Sequence, residues 1–280
     1  MELLGLTLAI SSSVVWGVAD FAGGSLTRRW PVFGVTLVSQ AAGFVALLAL
    51  TAGRGSVDGS SLATGLAAGV GGGAGLAAFY RALSLGTMSV VSPLVACGAV
   101  VPFGISLATG ERPGGLAVVG AVAALAGAVL ASAEERRSES APRARAIVLA
   151  AVAAGTLGLF VYFLGLGSRE GDALSTLVGA RIGSLAVLLS LASATRAPVV
   201  VARAALPAVA AVGVADVTAN ALFAAASTHG LLALVAVLGS MYPVATVVLA
   251  HVLLHERLTP TQRLGVVVAL AGVGAIAATR

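Results

Sequence analysis

Long apolar runs alternate with short polar or Gly/Pro-rich breaks along the whole chain. Runs of roughly 20 residues are the length that crosses a bilayer as a helix. They predict helices over about 3–25, 32–51, 62–84, 88–108 and 115–133. After a polar stretch come about 146–167, 172–193, 205–227, 231–254 and 262–279. The breaks carry turn chemistry, as in TRRWP, AGRGSVDGSS, LGTMS and TGERPGG. The longest, EERRSESAPRAR at 134–145, falls near the middle. This divides the chain into a first five-helix set (1–133), a polar linker (134–145) and a second five-helix set (146–280).

The two sets are copies. ERPGGLAVVGAVAALAG (111–127) aligns without a gap with ERLTPTQRLGVVVALAG (256–272). QAAGFVALLAL (40–50) resembles RIGSLAVLLSL (181–191), which sets Gln40 opposite Arg181. Five spans per copy is an odd number, so the second copy enters the membrane upside down relative to the first. The expected fold is an all-α polytopic membrane protein of ten transmembrane helices, arranged as two inverted five-helix repeats.

Composition sharpens this. Only 10% of the residues are charged and 59% are hydrophobic, against about 25% charged in soluble domains. The mean hydropathy is +1.05. The lipid bilayer is therefore the expected surrounding, with no room for a sizeable soluble domain. The N-terminal run lacks a positive n-region and carries Glu2, so it reads as a retained first span. All sixteen basic residues are Arg, scattered over short turns, and nucleic acid is not an expected partner. One Cys, Cys97, provides neither an intramolecular disulfide nor a zinc cluster and reads as a packing residue. His251 and His255 lie four apart at a helix end, too few to define a metal site. GVGGGAG (69–75) lies inside an apolar span, not after a strand, so Gly69 and Gly73 are a helix-approach pair instead of a phosphate loop.

Several motifs resemble the EamA-type branch of the drug/metabolite transporter superfamily. They are Trp16-Gly17 in the first span, FYRALSLGTMSVVSPL, Tyr242-Pro243 in the ninth, and the terminal HERLTPTQRLGVVVALAGVGAI. The resemblance spans essentially the whole chain. It implies ten helices in two inverted repeats around a central cavity for a small organic solute. It also implies a Pro thirteen residues before the helix-end Glu. Pro243 and Glu256 keep that spacing, but the first half has Gly98 there, flanked by Pro93 and Pro102, so a displaced kink is expected in the fourth span. The family arrangement places both termini in the cytoplasm. Loop charge favours the opposite, both termini outside, because cytoplasmic termini would put Arg28, Arg29, Arg136, Arg137, Arg143, Arg145, Arg196, Arg203, Arg257 and Arg263 on the outer side.

Ionisable groups within spans are costly and tend to face a cavity or a partner. Asp216 and Asn220, four apart in the eighth span, share one face; the alternative is a polar clamp between helices. Arg181, central in the seventh span, needs a partner: Asp216 first, Asp20 second. Paired, it is structural; unpaired, it attracts an anion. Trp16 and Asp20 share a face of the first span, and Trp16 can wall a cavity. Gln40, Tyr80 and Tyr242 complete the candidate substrate-binding set, and Tyr162 is a further possible lining residue. Glu111 and Glu256 each precede a helix and read as structural, near exposed amides and the positive dipole end.

No spacing supplies a convergent nucleophile, base or metal set, so neither an enzyme nor a cofactor is expected. The expected function is secondary transport, in the exporting direction, of a small organic metabolite. It works by alternating access through the central cavity of a multi-pass protein of the cell inner membrane. Asp216 and Asp20 offer a route to proton coupling. The alternative is a membrane-embedded partner or sensor subunit without transport activity. The residues expected to select cargo are those without a charged or aromatic twin in the other repeat: Trp16, Arg181, Asp216 and Asn220.

Overall fold

The computed structural model describes residues 3–52, 57–85, 91, 94–132, 144–254 and 258–279, which contain helices and no strand. The elements are α1 (Leu3–Thr27), α2 (Val32–Thr51), α3 (Gly59–Leu85), α4 (Val100–Ala108), α5 (Gly115–Ser132), α6 (Ala144–Glu170), α7 (Ala173–Thr195), α8 (Leu206–Ser227), α9 (Leu232–Gly239), α10 (Tyr242–Leu254) and α11 (Pro260–Ala277). Among the described residues nine segments are long and apolar enough to span a bilayer, α9 and α10 counting as one, and Leu94–Ala108 is a shorter tenth. Hydrocarbon offers no hydrogen bonds, so each span satisfies its own backbone as a helix. Large apolar side chains such as Val45, Val119, Val267 and Leu270 stand exposed on the outer surface. That is the arrangement expected where lipid, not water, covers the protein.

The expected helices match in number and place, with two informative departures. The ninth is not continuous: α9 ends at Gly239 and α10 begins at Tyr242. Pro243 has no amide to donate to the preceding turn, so it is tolerated only where a helix starts afresh. All eight residues of α9 are buried, making it a core half-helix. In the fourth span the irregularity is a 3-10 turn at Cys97–Ala99, centred on Gly98, the residue aligned with Pro243. Pro102 sits in the first turn of α4, where its missing amide costs little. The kink therefore falls at the repeat-equivalent level, not at Pro102; Pro93 lies outside the described residues. Cys97 is exposed on that turn and is not a packing residue.

The most extensive helix contacts join one repeat to the other. α3 packs on α6 and α7, α8 packs on α1 and α2, α5 on α11, and α4 on α9. Exchanging the repeats turns α1·α8 into α6·α3 and α2·α8 into α7·α3, so the packing has the two-fold relation that inverted copies require. At α3·α7 the expected close approach is present: Gly69 backs onto Ala180 and Ser184, and Gly73 onto Ser184 and Val187.

The duplicated block packs against its own copy. A Cβ at Gly120 would lie 2.8 Å from the Gly272 carbonyl oxygen, and one at Gly127 would lie 2.7 Å from that of Gly265. These cross-pairings run α5 and α11 antiparallel, with backbone against backbone. With no hydrophobic force between helices in lipid, such close van der Waals contact is a main source of association.

Two loop devices pin the helix starts. Asp58 precedes α3, accepting at 2.7 Å from the Ser61 amide and the Ser60 hydroxyl, while Asp172 caps α7 by accepting from the Ser175 amide at 2.8 Å. Each serine reaches across: Ser175 Oγ accepts from the Asp58 amide at 3.0 Å, and Ser61 Oγ from the Asp172 amide at 2.8 Å. Glu111 departs from expectation. Instead of serving its own helix, it accepts from the Leu232 and Ala233 amides at 2.8 Å each, capping α9 of the other repeat, and pairs with Arg169 at the end of α6. Arg112 folds back to donate to the Leu107 carbonyl at 2.9 Å. α11 is started by a capping box between Thr259 and Gln262; Glu256, Arg257 and His255 lie outside the described residues, as does the linker up to residue 143.

Two outcomes are expected in thermal unfolding of the detergent-solubilised protein. Gly265→Ala intrudes on the α5 backbone at Ala131 and is expected to cost about 1–3 kcal/mol. Gly274→Ala, further along the same helix with nothing within 4 Å, is expected to be neutral or to stabilise by up to about 1 kcal/mol. Hydrogen bonding by the side chain of Ser61, then by that of Ser60 and the Ser61 amide, holds the Asp58 carboxyl down at about 2. A depressed folded value means stability present above the unfolded value of about 3.9 and lost as pH falls toward 2. The melting-temperature gap between the parent protein and Asp58→Asn is therefore expected to be open at about pH 5 and to close by about pH 2.

Candidate functional site

Arg181 sits on the face of α7 that meets α2 and α8, and it is only 5% exposed. One guanidinium nitrogen donates to Asp216 Oδ2 of α8 at 2.5 Å, and another donates to Gln40 Oε1 of α2. Ser184, one turn along α7, donates to the same Gln40 oxygen at 3.2 Å. Sequence reasoning left Arg181 open between pairing and anion binding; the structure pairs it, with Asp216 and not Asp20. Gln40 and Arg181 are aligned positions of the two repeats. They touch because residues near a two-fold relation meet their own counterparts.

α1 lies antiparallel to α8. Gly5 abuts His229 at one end and Gly23 faces Val212 at the other. Between them Ser12 donates to the Ala219 carbonyl at 2.8 Å. This alignment brings Asp20 to the level of Asp216, within electrostatic reach of it and of Tyr242. Asp20 is exposed while lying near the polar Asp216 and the aromatic Tyr242. It forms no ion pair among the described residues.

An aromatic group adjoins it. Trp16 stacks at a tilt on Phe223, with ring centroids 5.7 Å apart, and meets Tyr242 edge-on at 6.4 Å. Thr246 of α10 donates to the Gly17 carbonyl at 3.2 Å, fixing α10 beside this part of α1. On α8, Asp216, Asn220 and Phe223 form one stripe at helical spacing. Asn220 Nδ2 donates to the Asp216 carbonyl at 2.7 Å, so that bond is made within its own helix. Its Oδ1 is buried without a hydrogen-bond partner.

The structure thus gathers Trp16, Asp20, Gln40, Arg181, Asp216, Asn220 and Tyr242 from both repeats. Tyr80 lies on α3, with its side chain outside the described residues. Tyr162 is buried and meets the neighbouring Phe163 edge-on at 5.5 Å. A separate small opening, lined by Val95, Gly98, Leu157, Gly158, Ser240 and Tyr242, touches the cluster through Tyr242 but does not include the carboxylates. Among the described residues no group of three or more His, Cys, Asp or Glu gathers as a metal site would. Sequence reasoning missed Phe223 and Ser184. The signal was available: each falls three residues beyond a chosen polar residue, Asn220 and Arg181, and so on the same helix face.

Two interleaved repeats of apolar helices, most of them long enough to span a bilayer, define a multi-pass membrane protein. The EamA-like transporter family matches residues 3–133 and 144–278, one copy per repeat, and the chain belongs to that family within the drug/metabolite transporter superfamily. A solved crystal structure at 18% sequence identity has the same fold, with a TM-score of 0.80 over 99% of this chain and 98% of that one. No curated protein matches.

Removing Arg181 alone strands Asp216 and Gln40. Arg181→Met is expected to cost roughly 2–4 kcal/mol, toward the lower end for a buried pair because the Asp216 side chain keeps 28% exposure. Adding Asp216→Leu is expected to restore part of that loss. A double-mutant cycle on unfolding in detergent reads the coupling.

Proposed function

We propose that this protein is a secondary carrier that exports a small organic metabolite across the inner membrane by alternating access. The observation that carries the reading is the cluster itself. Costly polar groups from α1, α2, α7 and α8 converge inside the bundle, next to the aromatic rings of α1, α8 and α10. In this reading Asp20, Asn220, Trp16 and Tyr242 contact substrate, while Gln40 and Arg181 hold Asp216 in place. The broken helices support rocking of one repeat against the other: α9 and α10 separate at Ser240 and Met241, and the turn at Gly98 is their counterpart. Asp20 and Asp216 are the groups through which a proton gradient would drive the cycle.

The competing reading is a partner or sensor subunit that moves nothing. An untargeted comparison of extracellular metabolites from cells with and without the protein separates the two. At least one organic solute is expected to accumulate outside only when the intact protein is made, and no difference across a broad screen would sink the carrier. Proteoliposomes test coupling: an imposed pH gradient is expected to accelerate transport of that solute in the parent protein and not in Asp20→Asn. Equal rates with and without the gradient remove the proton from the mechanism.

A further inference from the structure

The charge arrangement of the cluster selects a class of cargo. It holds two carboxylates, Asp20 and Asp216, and one guanidinium, Arg181. That guanidinium is spent: it is buried, bonded to Asp216 on one side and to Gln40 on the other. Within the cluster an anionic solute would find its one guanidinium already engaged and would meet Asp20. What the cluster leaves unsatisfied is acceptors. Asp20 is exposed and has no ion-pair partner among the described residues, and Asn220 Oδ1 is buried without a donor, one turn from the Phe223 that stacks on Trp16. A carboxylate and an amide oxygen both require N–H or O–H donors. Beside them, Tyr242 is half-buried and Trp16 lies edge-on to it, giving π-surface of the kind that attracts a desolvated cation.

We propose that the site takes a small organic ammonium, an amine carrying an apolar body. The N–H donors lie toward Asp20 and Asn220 Oδ1, and the body lies against the half-buried Tyr242, beside the buried Trp16. This names the substrate class of the carrier proposed above and rests on that reading for its transport role. Specificity has a negative side as well, since Asp20 repels the carboxylate of an isosteric acid. Arg181 acts as a positioning residue: by engaging Asp216 it leaves Asp20 as the unbalanced charge.

The test uses three probes of similar shape: phenethylammonium, phenylacetate and 2-phenylethanol. They are titrated against purified full-length protein in detergent. A Trp30→Phe background makes Trp16 the reporting indole. Phenethylammonium is expected to change the fluorescence saturably, phenylacetate and the alcohol not at all. Asp20→Asn is expected to weaken phenethylammonium binding about tenfold or more, and Asp20→Glu to hold it within a few-fold. The proposal is overturned if phenylacetate binds as tightly, if Asp20→Asn binds phenethylammonium like the parent, or if phenethylammonium does not bind. The probe comparison on the unaltered cluster stands even if Asp20→Asn fails to fold. Proteoliposomes then separate the two readings. Binding of phenethylammonium without its movement, when other solutes also fail to move, supports the ammonium site and ends the carrier reading. Movement of phenylacetate in place of phenethylammonium keeps the carrier and ends the ammonium class.

Discussion

A guanidinium buried inside a membrane bundle must be neutralised by its neighbours, because no solvent is there to do it. Arg181 meets that demand with groups from two other helices, Asp216 of α8 and Gln40 of α2. The three helices come from both repeats, so this contact ties the halves together at their centre. It also decides the electrostatics of the interior. Once Asp216 is committed to Arg181, Asp20 is the carboxyl of the cluster left without an ion pair among the described residues.

Around that centre the repeats interleave rather than sit side by side. α1 packs chiefly on α8, α3 on α6 and α7, and α5 on α11. Within one repeat the neighbours in sequence touch far less, so neither half has a core of its own. Lipid supplies no hydrophobic drive between helices, and close approach must come from shape. The glycines of the duplicated block provide it at α5·α11, where Gly120 meets Gly272 and Gly127 meets Gly265. Glu111 adds a polar tie, since a carboxylate from one repeat closes the amide end of a core half-helix in the other.

These ties have different consequences for motion. The α5·α11 seam is backbone on backbone and has little freedom to slide. The interruptions before α4 and between α9 and α10 lie in the helices that cross next to the aromatic group. Bending is easiest at those interruptions, and the glycine seam is the part least able to shift.

Much of this was legible in the chain alone. Apolar runs of bilayer length, an odd number of spans per copy and a block repeated at constant spacing are one-dimensional signals, and they specify ten helices in two inverted repeats. The face shared by Asp216 and Asn220, and that shared by Trp16 and Asp20, follow from helical spacing. Pairing does not. Whether Arg181 was free to hold an anion depended on which helix lay against α7, and no periodicity encodes that. Likewise Glu111 could be placed before α5 from sequence, but its carboxylate closes α9, more than a hundred residues away. The split of the ninth span needed both Pro243 and the buried surroundings of α9. Local order along the chain is set by covalent spacing and by the bilayer; the partners of buried charges are set by packing between the repeats, which only the folded chain brings together.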